Sequence, residues 1–225
     1  MILCPKCNNR LSITKDGATC GQHEFLYRDN ILELEKSEYY YGEIPQNEMN
    51  ELLSMIRTEG FFKAVAGYLN CQPQWKSDYL YRYIFSPQRI SWLFMTSLRQ
   101  RRRVLDFGCG WGTLLIPLAK IFDKVIGIDI CRERLEFASI RAKEEGIQNI
   151  IFVQSGTNLS LPFENNAFDL VILNGVLEWI PESFSENPRE VQKIFLKEIR
   201  RILSPNGELY IGIENRFAYT YLLGA

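Results

Sequence analysis

Strands alternating with helices through the second half of this 225-residue chain predict an α/β fold built on a doubly wound, mostly parallel sheet. Three observations carry that expectation. Val104-Leu-Asp-Phe-Gly-Cys-Gly-Trp-Gly-Thr113 runs from an apolar strand through an acid and three close glycines into an apolar segment, the order strand, tight turn, helix. Val125-Ile-Gly-Ile-Asp129 is a second apolar strand ending in an acid, about twenty residues after the glycine turn. Further short apolar runs then recur with helical patterns between them.

The chain divides into three units. Residues 1–35 hold paired cysteines and short β-like runs, Glu24–Tyr27 and Ile31–Leu34. Residues 36–100 are rich in aromatic side chains and interrupted by Pro45, Pro73 and Pro87; helices are expected over Asn47–Leu69 and Pro87–Leu98. Residues 101–225 carry the alternation. It begins with strand Val104–Phe107, helix Thr113–Ile121 and strand Lys124–Asp129. Helix Arg132–Glu145, ended by Gly146, and strands Ile150–Val153 and Asp169–Leu173 follow. Asn187-Pro188-Arg189-Glu190 opens another helix, with Asn as N-cap, Pro in the first helical position and Glu three residues past the cap. Val191, Ile194, Phe195, Ile199, Ile202 and Leu203 form its apolar face. Ser204-Pro-Asn-Gly207 reads as a turn before strand Glu208–Glu214.

Composition narrows the function classes. A formal net charge of −1 supplies no global field for nucleic acid or anionic membrane. No apolar run reaches the ~18 residues of a membrane-spanning helix, and no basic-then-apolar leader opens the chain. A soluble cytoplasmic protein without membrane insertion is expected. Six cysteines in this pattern suit metal binding rather than a disulfide framework. Cys4-x-x-Cys7 and Cys20-x-x-His23 offer four N/S ligands for a tetrahedral Zn²⁺, and with no position left open the metal is structural. The glycine turn lacks a following Gly-Lys-Ser/Thr, so it is not a phosphate-cradling loop. Asp129 stands where a carboxylate accepts two hydrogen bonds from a ribose diol.

With those residues in place, 104–214 resembles a class I S-adenosylmethionine-dependent methyltransferase of the ubiquinone-biosynthesis ("type 11") kind. The likeness rests on Val104–Gly112, Gly127-Ile-Asp129, Leu161-Pro-Phe163 followed by Phe168-Asp-Leu-Val171, Asn174-Gly-Val-Leu-Glu-Trp179 and Ile199-Arg-Arg-Ile-Leu-Ser-Pro-Asn-Gly207. The resemblance implies a Rossmann-like sheet with S-adenosyl-L-methionine as cofactor. It places Asp106 and the loop Gly108, Cys109, Gly110 along the methionine part, Asp129 on the ribose and Ile130 against the adenine. Members of the family put an aspartate after the third strand for the adenine amino group. Here Gln154-Ser-Gly-Thr157 has no acid, and Gly156, Thr157, Ser155 or backbone groups must replace it. Asn174 and the residues after it fall at the carboxyl edge of the sheet, where ligands bind, and Glu178 is the nearest candidate base. Seven strands are implied and five are counted, so the chain is expected to be a piece of a longer protein. Leu3-Cys-Pro-x-Cys7 with Leu11, Cys20, His23 and Phe25 resembles the zinc ribbon of 23S rRNA guanine-N1 methyltransferases.

RNA is a natural question. Arg82, Arg89, Arg99, Arg101, Arg102 and Arg103 lie in a stretch free of acids and interleaved with Tyr79, Tyr81, Tyr83 and Trp92. Aromatics packed as a lid over the cofactor are favoured over an RNA groove, and Arg82 or Arg89 is a candidate to meet either the cofactor carboxylate or an acidic substrate. The expected acceptor is a small molecule, such as a sugar or lipid intermediate. An RNA base methyltransferase and a binding module without catalysis are the alternatives.

Overall fold

The computed structural model describes residues 1–213 apart from Asp16, Glu38 and Thr157. The N-terminal unit is an antiparallel meander of β1 (Ser12–Ile13), β2 (Ala18–Thr19), β3 (Glu24–Arg28) and β4 (Ile31–Glu33). Asp29 and Asn30 turn β3 into β4 with φ of 53° and 64°, the two positive values of a tight hairpin matched to strand twist. Three helices follow: α1 (Gln46–Glu59), α2 (Phe61–Asn70) and α3 (Gln74–Phe85). The single helix expected over Asn47–Leu69 is therefore two. Gly60 adopts φ 87° between them, and both halves turn their apolar faces into one cluster. Pro87–Met95 is a 3₁₀ run rather than an α-helix.

The alternating part then comprises β5 (Arg103–Phe107), α4 (Leu115–Ala119), β6 (Lys124–Asp129), α5 (Arg132–Glu144), β7 (Ile150–Gln154), β8 (Phe168–Asn174), α6 (Pro188–Ile202) and β9 (Leu203–Gly212). The Asn187 side chain accepts the Arg189 N–H at 3.0 Å, so the predicted cap is formed. Val191, Phe195, Ile199 and Ile202 of α6 are buried, whereas Ile194 lies at the margin of that face, 47% exposed. Ser204–Gly207, expected as a turn before the last strand, falls inside β9 instead. Phe168 pairs with Leu203 and Leu170 with Glu208, so these residues bulge from an otherwise continuous ladder. Glu214 and Thr157, both invoked above, lie outside the described residues.

Among the described residues the sheet has nine strands in the order β1-β2-β3-β4-β7-β6-β5-β8-β9. From β4 to β9 all neighbours are parallel, including β4 against β7, with Glu33 opposite Gln154. The N-terminal meander thus continues the central sheet. From β5 the chain winds out to β7 on one side and to β8 and β9 on the other, which creates a topological switch point at the carboxyl ends of β5 and β8. One face of the sheet packs on α6 and the N-terminal unit, the other on α4 and α5. The helices α1–α3 form a third cluster that closes over Trp111 and Phe137.

Candidate functional site

At the switch point β5 ends in Asp106 and Phe107, and the glycine turn follows. Gly108, Gly110 and Gly112 adopt φ of 75°, 52° and 75°, a region that L side chains rarely adopt. Close packing excludes a side chain as well. A Cβ on Gly108 would lie 2.3 Å from Val176, one on Gly110 2.1 Å from the Arg134 guanidinium, and one on Gly112 2.7 Å from Ala138. The glycines therefore let the loop sink onto its own protein neighbours: the segment after β8 on one side and α5 on the other. The N–H groups of Gly108 and Cys109 donate to Ile128 O at 2.8 and 2.9 Å. The Cys109 thiol faces Gly127 within the α4 cluster, and burial raises its pKa well above the ordinary thiol value. Cys109, one of the residues expected along the cofactor, thus commits its thiol and N–H to the loop's own packing.

Asp129, at the end of β6, is 6% exposed. Its carboxylate accepts Gly110 N–H at 2.8 Å and Cys131 N–H at 2.9 Å, which ties the end of β6 to the turn after β5. Asp106 is 2% exposed, and its Oδ2 has no hydrogen-bond partner. Burial pushes its carboxyl up to about 7, nearby Asp129 adds to the rise, and Arg89 opposes it. A buried acceptor without a donor is costly, and this one lies at the carboxyl edge, where a cationic ligand group would satisfy it. Arg89 itself lies over the Tyr83 ring, 4.4 Å from its centre, whereas Arg82 is exposed. Of the two arginines singled out in the sequence, the fold brings Arg89 to the site.

Beneath the glycine turn, Arg134 of α5 is almost fully buried. It donates to Tyr41 O at 3.2 Å and pairs with Glu43 at 3.7 Å. Glu43 also accepts the Trp111 indole N–H. The segment 39–43 is strapped down further by Cys131, whose Sγ receives Tyr41 N–H at 3.1 Å, and the Tyr41 ring approaches Trp179 at 6.0 Å. The 36–100 unit therefore covers the turn through specific polar contacts. Sequence reasoning missed Glu43, Tyr41 and Arg134; the one available signal was Trp111, a buried indole that needs an acceptor.

On the side where adenine is expected, Ile130 is half-buried and its carbonyl accepts from Gln154. Gly156 adopts φ 134°, and a Cβ there would lie 3.7 Å from the Phe107 ring. Ser155 N–H donates to Asp129 O at 3.2 Å. Asn174, at the end of β8, directs its amide over Gly212 of β9, with Oδ1 2.2 Å from where a Cβ would stand. Glu178 is half-buried in the turn that follows β8. The turn thus brings together Asp106, Gly108, Gly110 and Asp129, with Ile130 and Gly156 beside them and Asn174 and Glu178 across the switch point.

The cysteine–histidine cluster lies at the far end of the sheet. Cys4, Cys7, Cys20 and His23 hold their ligand atoms within 4.8 Å of one another. Cys4 Sγ is 3.5 Å from His23 Nδ1, Cys7 Sγ is 3.6 Å from Cys20 Sγ, and Cys20 Sγ is 3.6 Å from His23 Nδ1. Tetrahedral zinc, with bonds of about 2.3 Å to sulfur and about 2.0 Å to nitrogen, spaces its ligand atoms by about 3.5–3.8 Å, so the donor set fits that ion.

Comparison with known proteins bears on the same segment. Residues 98–218 match a family described as a methyltransferase domain. A demethylmenaquinone methyltransferase from Lactococcus lactis is 36% identical over 109 residues, 47% of this chain and 39% of that protein. A tRNA (guanine-N(7)-)-methyltransferase from Streptococcus pneumoniae is 33% identical over 122 residues, 53% of this chain and 57% of that protein. A Pyrococcus horikoshii protein of known structure overlays with a TM-score of 0.50 at 26% identity, covering 60% of this chain and 56% of that one. The chain spans about half the length of the curated relatives it matches.

Proposed function

This chain belongs to the methyltransferase-domain family, and from that membership we propose that it is an S-adenosylmethionine-dependent methyltransferase acting on a small-molecule acceptor, with a structural zinc ion held by Cys4, Cys7, Cys20 and His23. The observation that carries the reading is the buried, unpartnered Asp106 Oδ2 beside Asp129 at neighbouring strand ends. Asp106 would receive the methionine ammonium, and Arg89 would meet its carboxylate. Asp129, already oriented by Gly110 and Cys131 N–H groups, would accept from the ribose hydroxyls. Ile130 would pack on the adenine.

When bound, S-adenosylmethionine supplies an electrophilic methyl group on its sulfonium sulfur. The chain's own contribution is alignment, worth up to ~7–11 kcal/mol in well-oriented cases. The acceptor would enter across the switch point, between Asn174–Trp179 and the segment around Tyr41. Glu178 is the candidate base there for an acceptor with a proton to lose.

A small molecule is favoured over RNA because two aromatics of the basic stretch, Trp92 and Tyr83, are engaged within the protein. Trp92 stacks on Tyr210 at 3.7 Å, Tyr83 lies beneath Arg89 and its carbonyl accepts from Thr113, and Tyr81 packs on Phe85. Trp92 and Tyr83 are thereby withheld from base stacking, whereas Tyr79 and Tyr81 stay 50% and 60% exposed. No described helix is long and apolar enough to cross a membrane.

Calorimetry with S-adenosylhomocysteine tests the cofactor. The unaltered chain should bind it, and Asp129→Ala should weaken binding by about ten- to a hundred-fold, the size of a lost charge-assisted hydrogen bond. Equal affinity in the variant would remove the ribose assignment. Transfer of a labelled methyl group to fractionated cell extract tests the acceptor: label in a small-molecule or lipid fraction supports the proposal, and label confined to RNA overturns it.

A further inference from the structure

We propose that Glu35, from the N-terminal unit, is the carboxylate at the adenine end of the cofactor site, so that this unit completes the site. The proposal rests on the S-adenosylmethionine reading above.

Placement is the first ground. Proceeding along the carboxyl edge of the sheet, β5 ends at Asp106 and Phe107, β6 at Asp129, β7 at Gln154 and β4 just before Glu35. Because β4 runs parallel to β7 with Glu33 opposite Gln154, the chain leaves β4 on the same edge as the three cofactor strands. Leu34 and Glu35 N–H groups both donate to Gln154 O at 3.1 Å, which fixes the exit. Neighbouring strands are about 4.8 Å apart, so β5 to β4 spans ~14 Å. That is room for an extended nucleoside with an amino-acid tail, ordered methionine, ribose, adenine.

Chemistry is the second. The adenine amino group has two hydrogens to donate, and in a partly buried site it needs an acceptor. The loop after β7 contains no acid: Gln154 is followed by Ser, Gly, Thr, Asn, Leu, Ser, Leu, Pro and Phe before Glu164. Glu35 brings one from 120 residues away. Its Oε2 accepts Ser155 Oγ at 3.2 Å and Gly156 N–H at 3.1 Å, and its Oε1 accepts the Asn158 amide. A carboxylate thus sits on the backbone of the loop that borders the adenine side, next to Asp129, whose carbonyl accepts Ser155 N–H. Glu35 is half-buried.

The test uses the full chain and two ligands, S-adenosylhomocysteine and its analogue with hydrogen in place of the adenine amino group. The unaltered chain should prefer the amino ligand by about ten- to a hundred-fold. Glu35→Ala should collapse that preference to near unity. Loosening of the loop alone would weaken both ligands alike and leave the ratio intact, and that result overturns the proposal, as does a ratio unchanged with affinity unchanged. Asp129→Ala should weaken both ligands equally, which shows the ratio to be specific to Glu35. If the unaltered chain binds neither ligand, the cofactor reading itself fails, a result distinct from an unchanged ratio.

Discussion

Asp106 is the residue whose protonation matters most. Its carboxyl, at about 7 in the folded chain against an ordinary value of about 3.9 in the unfolded one, favours folding fully below the unfolded value. That contribution is lost as pH rises through the folded value, so ionised Asp106 opposes folding at about pH 8 by up to ~4 kcal/mol. Asp106→Asn keeps the side-chain shape without the charge. It should raise the unfolding temperature at about pH 8 and have little effect near pH 4; thermal denaturation at the two pH values checks this. Because the proposed ammonium partner needs the charged form, affinity of the unaltered chain for S-adenosylhomocysteine should strengthen from about pH 6 to about pH 7.5, and Asp106→Asn should flatten the profile. Asp106 and Asp129 were both legible in the sequence, since each closes an apolar strand, Asp106 beside the glycine turn and Asp129 about twenty residues after it. Glu43 and Arg134 were not: charges in ordinary-looking helical and loop segments become buried partners only when residues 43 and 134 are brought together.

At the scale of elements, the glycine turn separates backbone strain from packing. Gly110 combines φ 52° with a contact of 2.1 Å between an added Cβ and Arg134, whereas Gly175, at φ 67°, has nothing within 4 Å of such a Cβ. Gly175→Ala should cost about 1 kcal/mol, from strain alone. Gly110→Ala should cost about 3 kcal/mol or more, because Arg134 must also give up its place beside Glu43. Chemical denaturation of the two variants makes the comparison, and equal losses would show that the Arg134 contact is unimportant. Helices α4, α5 and α6 were readable from apolar period and capping residues, whereas α3 was not and Pro87–Met95 forms a 3₁₀ run. The misreadings have local causes: Gly60 breaks one long apolar pattern into α1 and α2, and Ser204–Gly207 has turn chemistry that β9 absorbs as a bulge.

For the whole molecule, the continuous sheet links two sites that are far apart in sequence. The cysteine–histidine cluster lies in the β1–β3 meander, the meander carries β4, and the chain leaving β4 sets Glu35 against the loop after β7. With the proposed zinc bound, so small a meander would draw much of its folding energy from the metal. Removing zinc with a chelator, or Cys4→Ser, should therefore lower the unfolding temperature and weaken S-adenosylhomocysteine binding about ten-fold, as read by calorimetry and metal analysis. Full affinity in a metal-free chain would break the link.

By itself the sequence determined what depends on spacing: the α/β alternation, the glycine turn with Asp106, the acid at the end of β6, and a four-ligand cluster written as two short cysteine and cysteine–histidine pairs. These are local patterns, set by helix and strand periods or by the reach of neighbouring side chains. Tertiary structure alone decided that the N-terminal strand joins the sheet, that Arg89 rather than Arg82 reaches the site, and that Glu35 lies where the loop after β7 lacks an acid. The physical reason is distance along the chain: Glu35 meets Ser155 across 120 residues, and no local period or motif records a pairing that only the order of strands in the sheet creates.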